Sequence, residues 1–383
     1  MTAKINFPFT RLPKEAQILR DKVRSFLDKE ISNGTFQPHV GDGFDTGFSR
    51  KVGEQGWIGM TWPKKYGGQE MSQFERYVVT EEMLLAGAPT WAHFTADRQS
   101  GPILLKYSSE ELKRKILPEI VKGECTFAIG MSEPDSGSDL FAAKTRAEPH
   151  ADGWLINGRK TWTSFAHRSQ YMIGLFRTSK ATEKNRRHGL TQFLVDMKTP
   201  GITVRPIRNS TGQHDFNDVI FEDVVVPAKH MLGELDMAWK QATSELAFER
   251  SGPERFLQNI YILTELIRIV GKQPDQHTAE RIGRLIAQLQ SLRQMSISVA
   301  GMLSKGDEPV LEASIVKDVG TNWEQELPNA AREIAALLQH DDNNRSSFEE
   351  LIQESVIMSP KFTIQGGTRE ILRGVIARGL GVR

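Results

Sequence analysis

The apolar residues of this chain change their period twice along its 383 positions, and few folds accommodate that. Through Val121 they recur at three- and four-residue steps, as on one-sided helices. From Thr126 they alternate, as strands with one buried face do, and from about Met237 the helical step returns. Ala16, Leu19, Val23, Phe26, Leu27 and Ile31 predict an amphipathic helix over 12–31, with Pro13 in its first turn. Further helices are expected over 72–86, 92–106 and 109–121, the last capped by Ser109. Strands are expected over 126–131, 143–148, 154–156, 160–164, 171–177, 190–196, 203–206 and 219–226. Gly, Pro, Asn and Asp separate them at short intervals, as a compact barrel or sandwich requires. The closing helices fall over 237–249, 254–270, 275–304, 309–338, 347–358 and 369–379. They are long and briefly linked, which makes a four-helix bundle the natural packing.

Chemistry concentrates at the first change of period. Ser132-Glu133-Pro134-Asp135-Ser136-Gly137-Ser138-Asp139 is built from turn formers. Asn157-Gly158, a strong hairpin signal, leads into Lys160-Thr161-Trp162-Thr163-Ser164. A loop rich in hydroxyls and backbone N–H groups therefore lies between strands, with an exposed Trp162 on a later one. That combination suits a flat aromatic ligand with polar edges and a phosphate. A plain hairpin domain with a polar loop fits the residues equally well. His93, Asp97 and Arg98 fall close together and read as a solvated or structurally paired cluster, with a role facing the ligand pocket as the alternative.

Composition narrows the classes. A chain of this length exceeds one ordinary core, so two or three domains are expected. Apolar content of 39% and charged content of 25% describe a soluble globular protein. Forty-nine basic against 48 acidic residues, without a basic stripe, argue against nucleic acid or an anionic membrane as partner. Cys125 is the single cysteine, so no internal disulfide forms, and its apolar setting reads as core. The first residues carry no apolar signal core, and no run approaches the ~18 apolar residues of a membrane span, so a cytoplasmic protein is expected. No cluster of metal-ligand spacing stands out.

The segment from 126 to 164 resembles the flavin-binding signature of the acyl-CoA dehydrogenase family. The likeness extends to 219–233 and covers nearly the whole chain. It implies a mostly α fold with a central β-barrel: an N-terminal helical domain over 1–124, a middle β-barrel domain over 125–234 and a C-terminal four-helix bundle over 235–383. It also implies FAD-dependent α,β-dehydrogenation of an acyl-CoA thioester, passing electrons to an electron-transfer flavoprotein. Met131, Ser132, Gly137 and Ser138 match loop positions that contact FAD, and Ser138 also matches one that touches the CoA portion of the substrate. Trp162, Thr163 and Ser164 match the strand flanking the flavin ring. Ser132 and Ser164 stand where Thr is frequent.

The family places its catalytic Glu at one of two sites. In the loop before the last helix this chain reads Ile364-Gln365-Gly366-Gly367-Thr368-Arg369-Glu370, with Gly366 where the carboxylate would be. Thr368 and Glu370 still match flavin-contacting positions. The other site is a Glu-Arg pair on the first bundle helix, matched by Glu249-Arg250, which makes Glu249 the expected base and Arg250 a substrate-side residue. Two family features are missing: an Arg-x-x-Phe-Gly segment near 271–284 and a Gly-Gly-x-Gly turn between 349 and 364. Relatives that pair two different subunits show such losses, so homo- and hetero-oligomers both stay open. Two alternatives accompany the main reading: a non-catalytic or half-site subunit, and a fold-related flavin oxidase or monooxygenase.

Overall fold

Eight strands form one continuous sheet in the computed structural model, which describes residues 5–181, 185–238, 241, 250–338 and 343–382. They are β1 (Phe127–Gly130), β2 (Arg146–His150), β3 (Gly153–Ser164), β4 (Tyr171–Arg177), β5 (Leu190–Asp196), β6 (Ile202–Ile207), β7 (Phe216–Val226) and β8 (Met231–Leu232). The order is β6-β7-β3-β2-β4-β5-β8, with β1 added beside β4. Along β4, β1 pairs in parallel over Tyr171 to Gly174, and β2 then takes over at Arg177. Phe176, Phe193 and Phe221 lie at the centre of the core, with Phe176 edge-on to Phe221 at 5.5 Å. Each such burial is worth roughly 1.5–3 kcal/mol.

Two expectations for this sheet are corrected. The barrel does not close: β8 is two residues long and spends both on β5, so β6 and β8 remain separate edges. Nor does Asn157-Gly158 make a turn, because the strands expected over 154–156 and 160–164 are one strand, β3. The register against β7 shifts between Ile156 and Gly158, so the pair sits in a β-bulge. Asn157 Nδ2 donates to Asp223 Oδ1 (3.0 Å), and the Asp223 N–H donates back to Asn157 Oδ1 (2.8 Å). That side-chain clasp holds the segment in the ladder. The turn comes earlier, between His150 and Gly153.

These strands belong to one compact unit, Gly41–Met71 with Pro89–Glu245. Its helices are α2 (Thr46–Glu54), α4 (Trp91–Thr95), α5 (Gly101–Tyr107) and α6 (Glu110–Val121). The single helix expected over 92–106 is interrupted by a π turn at Ala96–Ser100. Pro102 in the first turn of α5 has no N–H to offer the carbonyl four residues back. Asp97 Oδ1 accepts the Gly59 N–H (2.7 Å), which draws the turn inward. The paired reading of that cluster holds for His93 too, whose Nδ1 lies 2.8 Å from Ser49 Oγ.

The other unit comprises Met1–Val40, Ser72–Ala88 and Leu246–Arg383. It contains α1 (Lys14–Ser32), α3 (Gln73–Leu85), α7 (Ile260–Val270), α8 (Gln276–Ser304), α9 (Val310–Leu337), α10 (Asn343–Met358) and α11 (Arg369–Gly379). Ser72 and Glu75 form a reciprocal capping box at the start of α3. Helices α7 to α10 bury one core around Trp323, whose Nε1–H donates to the Leu285 carbonyl (3.1 Å). The helix expected from 254 starts only at Ile260. Pro253–Arg255 is a 3-10 turn, and the Gln258 and Asn259 N–H groups go to the Glu324 carboxylate (2.6 and 2.9 Å). The helix expected over 237–249 lies almost wholly outside the described residues, and so does Glu249.

Candidate active site

Burial along β3 follows a defect in its pairing. Lys160 faces Val219 and Thr163 faces Asn217, so two residues of β3 oppose one of β7. Trp162 takes up the extra length with φ +55°, in the left-handed region a bulky side chain rarely adopts. Its ring is pushed out, 58% exposed and edge-on to Phe216 at 5.9 Å, while Thr163 is buried and Ser164 exposed. Thr163 Oγ1 is buried without a hydrogen-bond partner among the described residues. A buried hydroxyl left open beside an outward aromatic ring fits a ligand with ring heteroatoms, as flavin has.

The loop after β1 is fastened to the same strand from below. Lys160 is fully buried, and its Nζ donates to Glu133 Oε1 (2.7 Å) and to the Met131 carbonyl (3.3 Å). Glu133 also accepts the backbone N–H groups of Lys144 (2.6 Å) and Thr145 (3.0 Å). Burial pulls the Lys160 ammonium down to about 8 against the opposing pull of Glu133. Burial works to raise the Glu133 carboxyl, but Lys160 and the N–H donors outweigh it and hold that carboxyl below its ordinary value. The Thr161 N–H donates to the Ser132 carbonyl (2.9 Å). Met131, Ser132 and Trp162 are thereby held on one framework. Gly137 and Ser138 sit on the exposed outer turn of the loop, and a Cβ built on Gly137 meets nothing within 4 Å. Close approach by a ligand backbone or phosphate is sterically open there.

Sequence reading missed the far end of the strand. Asn217 is fully buried and its Nδ2 donates to the Thr163 carbonyl (3.0 Å). His167 and His214 stack at 3.9 Å, and both reach Asn217 Oδ1, at 3.1 and 2.8 Å. The two histidines are 47 positions apart, so no local pattern announces the pair.

In the other unit Arg250 is buried, and its Nε–H donates to the Gly366 carbonyl (3.0 Å). Gly366 and Gly367 have φ of +66° and +102°, and a Cβ on Gly367 would come 3.2 Å from Arg250 Nη2. Thr368 caps α11 by accepting the Ile371 N–H, and Glu370 lies in the first turn. Its carboxyl is held below the ordinary value by its own backbone N–H and by Thr368. The structure thus brings Arg250 together with the 366–368 loop. It brings Met131, Ser132, Trp162, Thr163 and Ser164 together independently.

Comparison with known proteins separates a generic ligand loop from a family site. The pattern of the acyl-CoA dehydrogenase N-terminal domain matches residues 13–124, that of the middle domain 128–224 and that of the C-terminal domain 270–381. The chain belongs to the acyl-CoA dehydrogenase family. Acyl-CoA dehydrogenase IpdE1 of Mycobacterium tuberculosis is 31% identical over 88% of this chain and 87% of its own length. The solved Tcur3481–Tcur3483 steroid ACAD is 27% identical over 97% of this chain and 99% of that chain, with a TM-score of 0.84. A chain of the ChsE4–ChsE5 complex from Mycobacterium tuberculosis is 26% identical over 98% and 99%, with a TM-score of 0.81. Membership of the acyl-CoA dehydrogenase family makes the chain an oxidoreductase of that type, as the signature implied. Among the described residues no helix is long and apolar enough to cross a membrane, and no group of three metal-ligating side chains occurs.

Proposed function

We propose that this chain is an FAD-dependent dehydrogenase that introduces an α,β double bond into an acyl-CoA thioester, with Glu249 as the base. The bond from Arg250 to the Gly366 carbonyl carries this reading. It ties the residue that follows Glu249 to the loop in which the family's other carboxylate is replaced by glycine. FAD, when bound, supplies the acceptor for the β-hydrogen and its electron pair. Glu249 takes the α-proton, and the electrons of that C–H bond become the double bond. Leu246 and Phe248 precede Glu249 in sequence, and an apolar setting raises a carboxylate toward the pKa this step needs. Arg250 and Ser138 serve the substrate. Met131, Ser132, Gly137, Ser138, Trp162, Thr163, Ser164, Thr368 and Glu370 serve the cofactor. An electron-transfer flavoprotein is the natural oxidant for the reduced enzyme.

A second reading has the chain share its flavin with a different subunit. The Tcur3481–Tcur3483 and ChsE4–ChsE5 relatives are each named for two proteins, and this chain lacks the Arg-x-x-Phe-Gly segment. Steroid-bearing thioesters join straight-chain ones as substrates to test. Anaerobic mixing of the purified protein with an acyl-CoA panel separates the readings. Bleaching of a bound flavin band by a thioester supports the first. A colourless protein that gains flavin only with a second chain supports the second. Glu249→Gln should keep FAD and slow its reduction by roughly 10²–10⁴-fold; an unchanged reduction rate would sink the assignment of the base.

A further inference from the structure

The His167–His214 stack and Asn217 take no part in the function derived above, yet they end on the strand that carries Trp162 and Thr163. Asn217 spends its amide nitrogen on the Thr163 carbonyl, which leaves its oxygen to accept from both rings. His167 Nδ1 and His214 Nε2 must then both carry hydrogen. The rings lie 3.9 Å apart at 16°, close enough that charge on one is felt by the other. We propose that Asn217 is the positioning residue for Thr163, and that the stacked histidines make its hold on the strand sensitive to acid. The link to flavin affinity rests on the FAD reading given above.

The charges around the pair set its behaviour. Arg168 follows His167 and pairs with Asp42; Asp215 follows His214 and accepts from Asn209. Burial lowers the His167 pKa, His214 and Arg168 lower it further, and Asn217 and Asp42 oppose them. One proton can be shared by the stack with both N–H bonds to Asn217 intact. A second would set two imidazolium rings face to face, so it binds roughly tenfold or more weakly than the first. When it does bind, the rings separate, Asn217 loses its donors, and the Thr163 carbonyl loses the amide that orients it.

Two measurements decide this. The first is an NMR titration of imidazole nitrogens in the flavin-free protein. Two steps separated by a unit or more are expected, and two independent steps near the ordinary histidine value would overturn the lock. The second is FAD affinity against pH, read by flavin fluorescence anisotropy. The wild type should bind roughly tenfold more weakly below the second step than above the first, and His214→Phe, which keeps an aromatic ring without a charge, should bind equally on both sides. Asn217→Asp keeps the acceptor for both rings but loses the donor to Thr163, so its affinity should fall at every pH. Parallel profiles for wild type and His214→Phe, or wild-type affinity in Asn217→Asp, would overturn the link to the strand. Absence of FAD binding by the wild type at every pH would instead defeat the flavin reading, and the titration would still judge the lock.

Discussion

Lys160 has no exposed surface, and among the described residues its ammonium answers to a single carboxylate, Glu133. Removing one member of such a buried pair strands the other. Glu133→Gln should cost about 3–5 kcal/mol in denaturant unfolding. Glu133→Gln with Lys160→Met should recover most of that loss, because no buried charge remains. The pH dependence has a fixed sign. Burial leaves the folded-state pKa of Lys160 near 8, below the 10.5 of a free lysine. Between those values the unfolded chain still holds a proton that the folded protein has released, so stability rises with pH across that window. Wild type should therefore gain on Lys160→Met from about pH 8 to pH 10.5 in unfolding experiments. An equal slope for the two proteins would contradict the ammonium's burial.

Among the elements, α7 depends on a carboxylate from another helix. Glu324 receives the Gln258 and Asn259 N–H groups, and its own carbonyl accepts from Asn259 Nδ2 (3.0 Å). Burial pushes Glu324 up to about 7 although those N–H groups favour the anion. A raised acid stabilises the fold when protonated, so this contribution is complete below the unfolded value of 4.5 and is lost as pH rises through about 7. Relative to Glu324→Gln, wild type should lose stability over that interval, read from denaturant midpoints at several pH values. The late start of α7 shows where sequence reading reaches its limit. Signals that act within a few residues were legible, such as the Ser109 cap, the strand over 190–196 and the helix over 369–379. Devices that join distant segments were not. Asn157-Gly158 carries the composition of a turn, but Asp223, sixty-six residues on, holds it in a strand. Glu324 likewise intercepts the N–H groups that would have begun α7 earlier.

For the chain as a whole, the family and the succession of helical, β and helical segments were readable, because both are written in residue types that follow one another along the chain. The sharing of one strand edge by β1 and β2 was not, since parallel pairing across Phe127 and Tyr171 leaves no local trace. Arg250 and Gly366 stood out separately in the sequence, but they are 116 positions apart and only the fold joins them. Assembly is tested at this scale. The principal reading predicts one FAD per chain when the protein is purified alone, measured by flavin absorbance against protein mass. A ratio near one half that doubles nothing on adding more FAD, but rises when a second dehydrogenase chain is co-expressed, would transfer the catalytic unit to a heteromer.

The bulge that turns Trp162 outward has a practical corollary. Trp57, Trp62 and Trp323 are each less than a tenth exposed, and Trp91 and Trp154 are half-buried, so Trp162 is the one open indole among the described residues. Of these indoles, iodide or acrylamide dissolved in water will reach that one first. A cofactor seated on the strand would shade it from the quencher, which gives the protein an internal lamp for occupancy that needs neither label nor turnover.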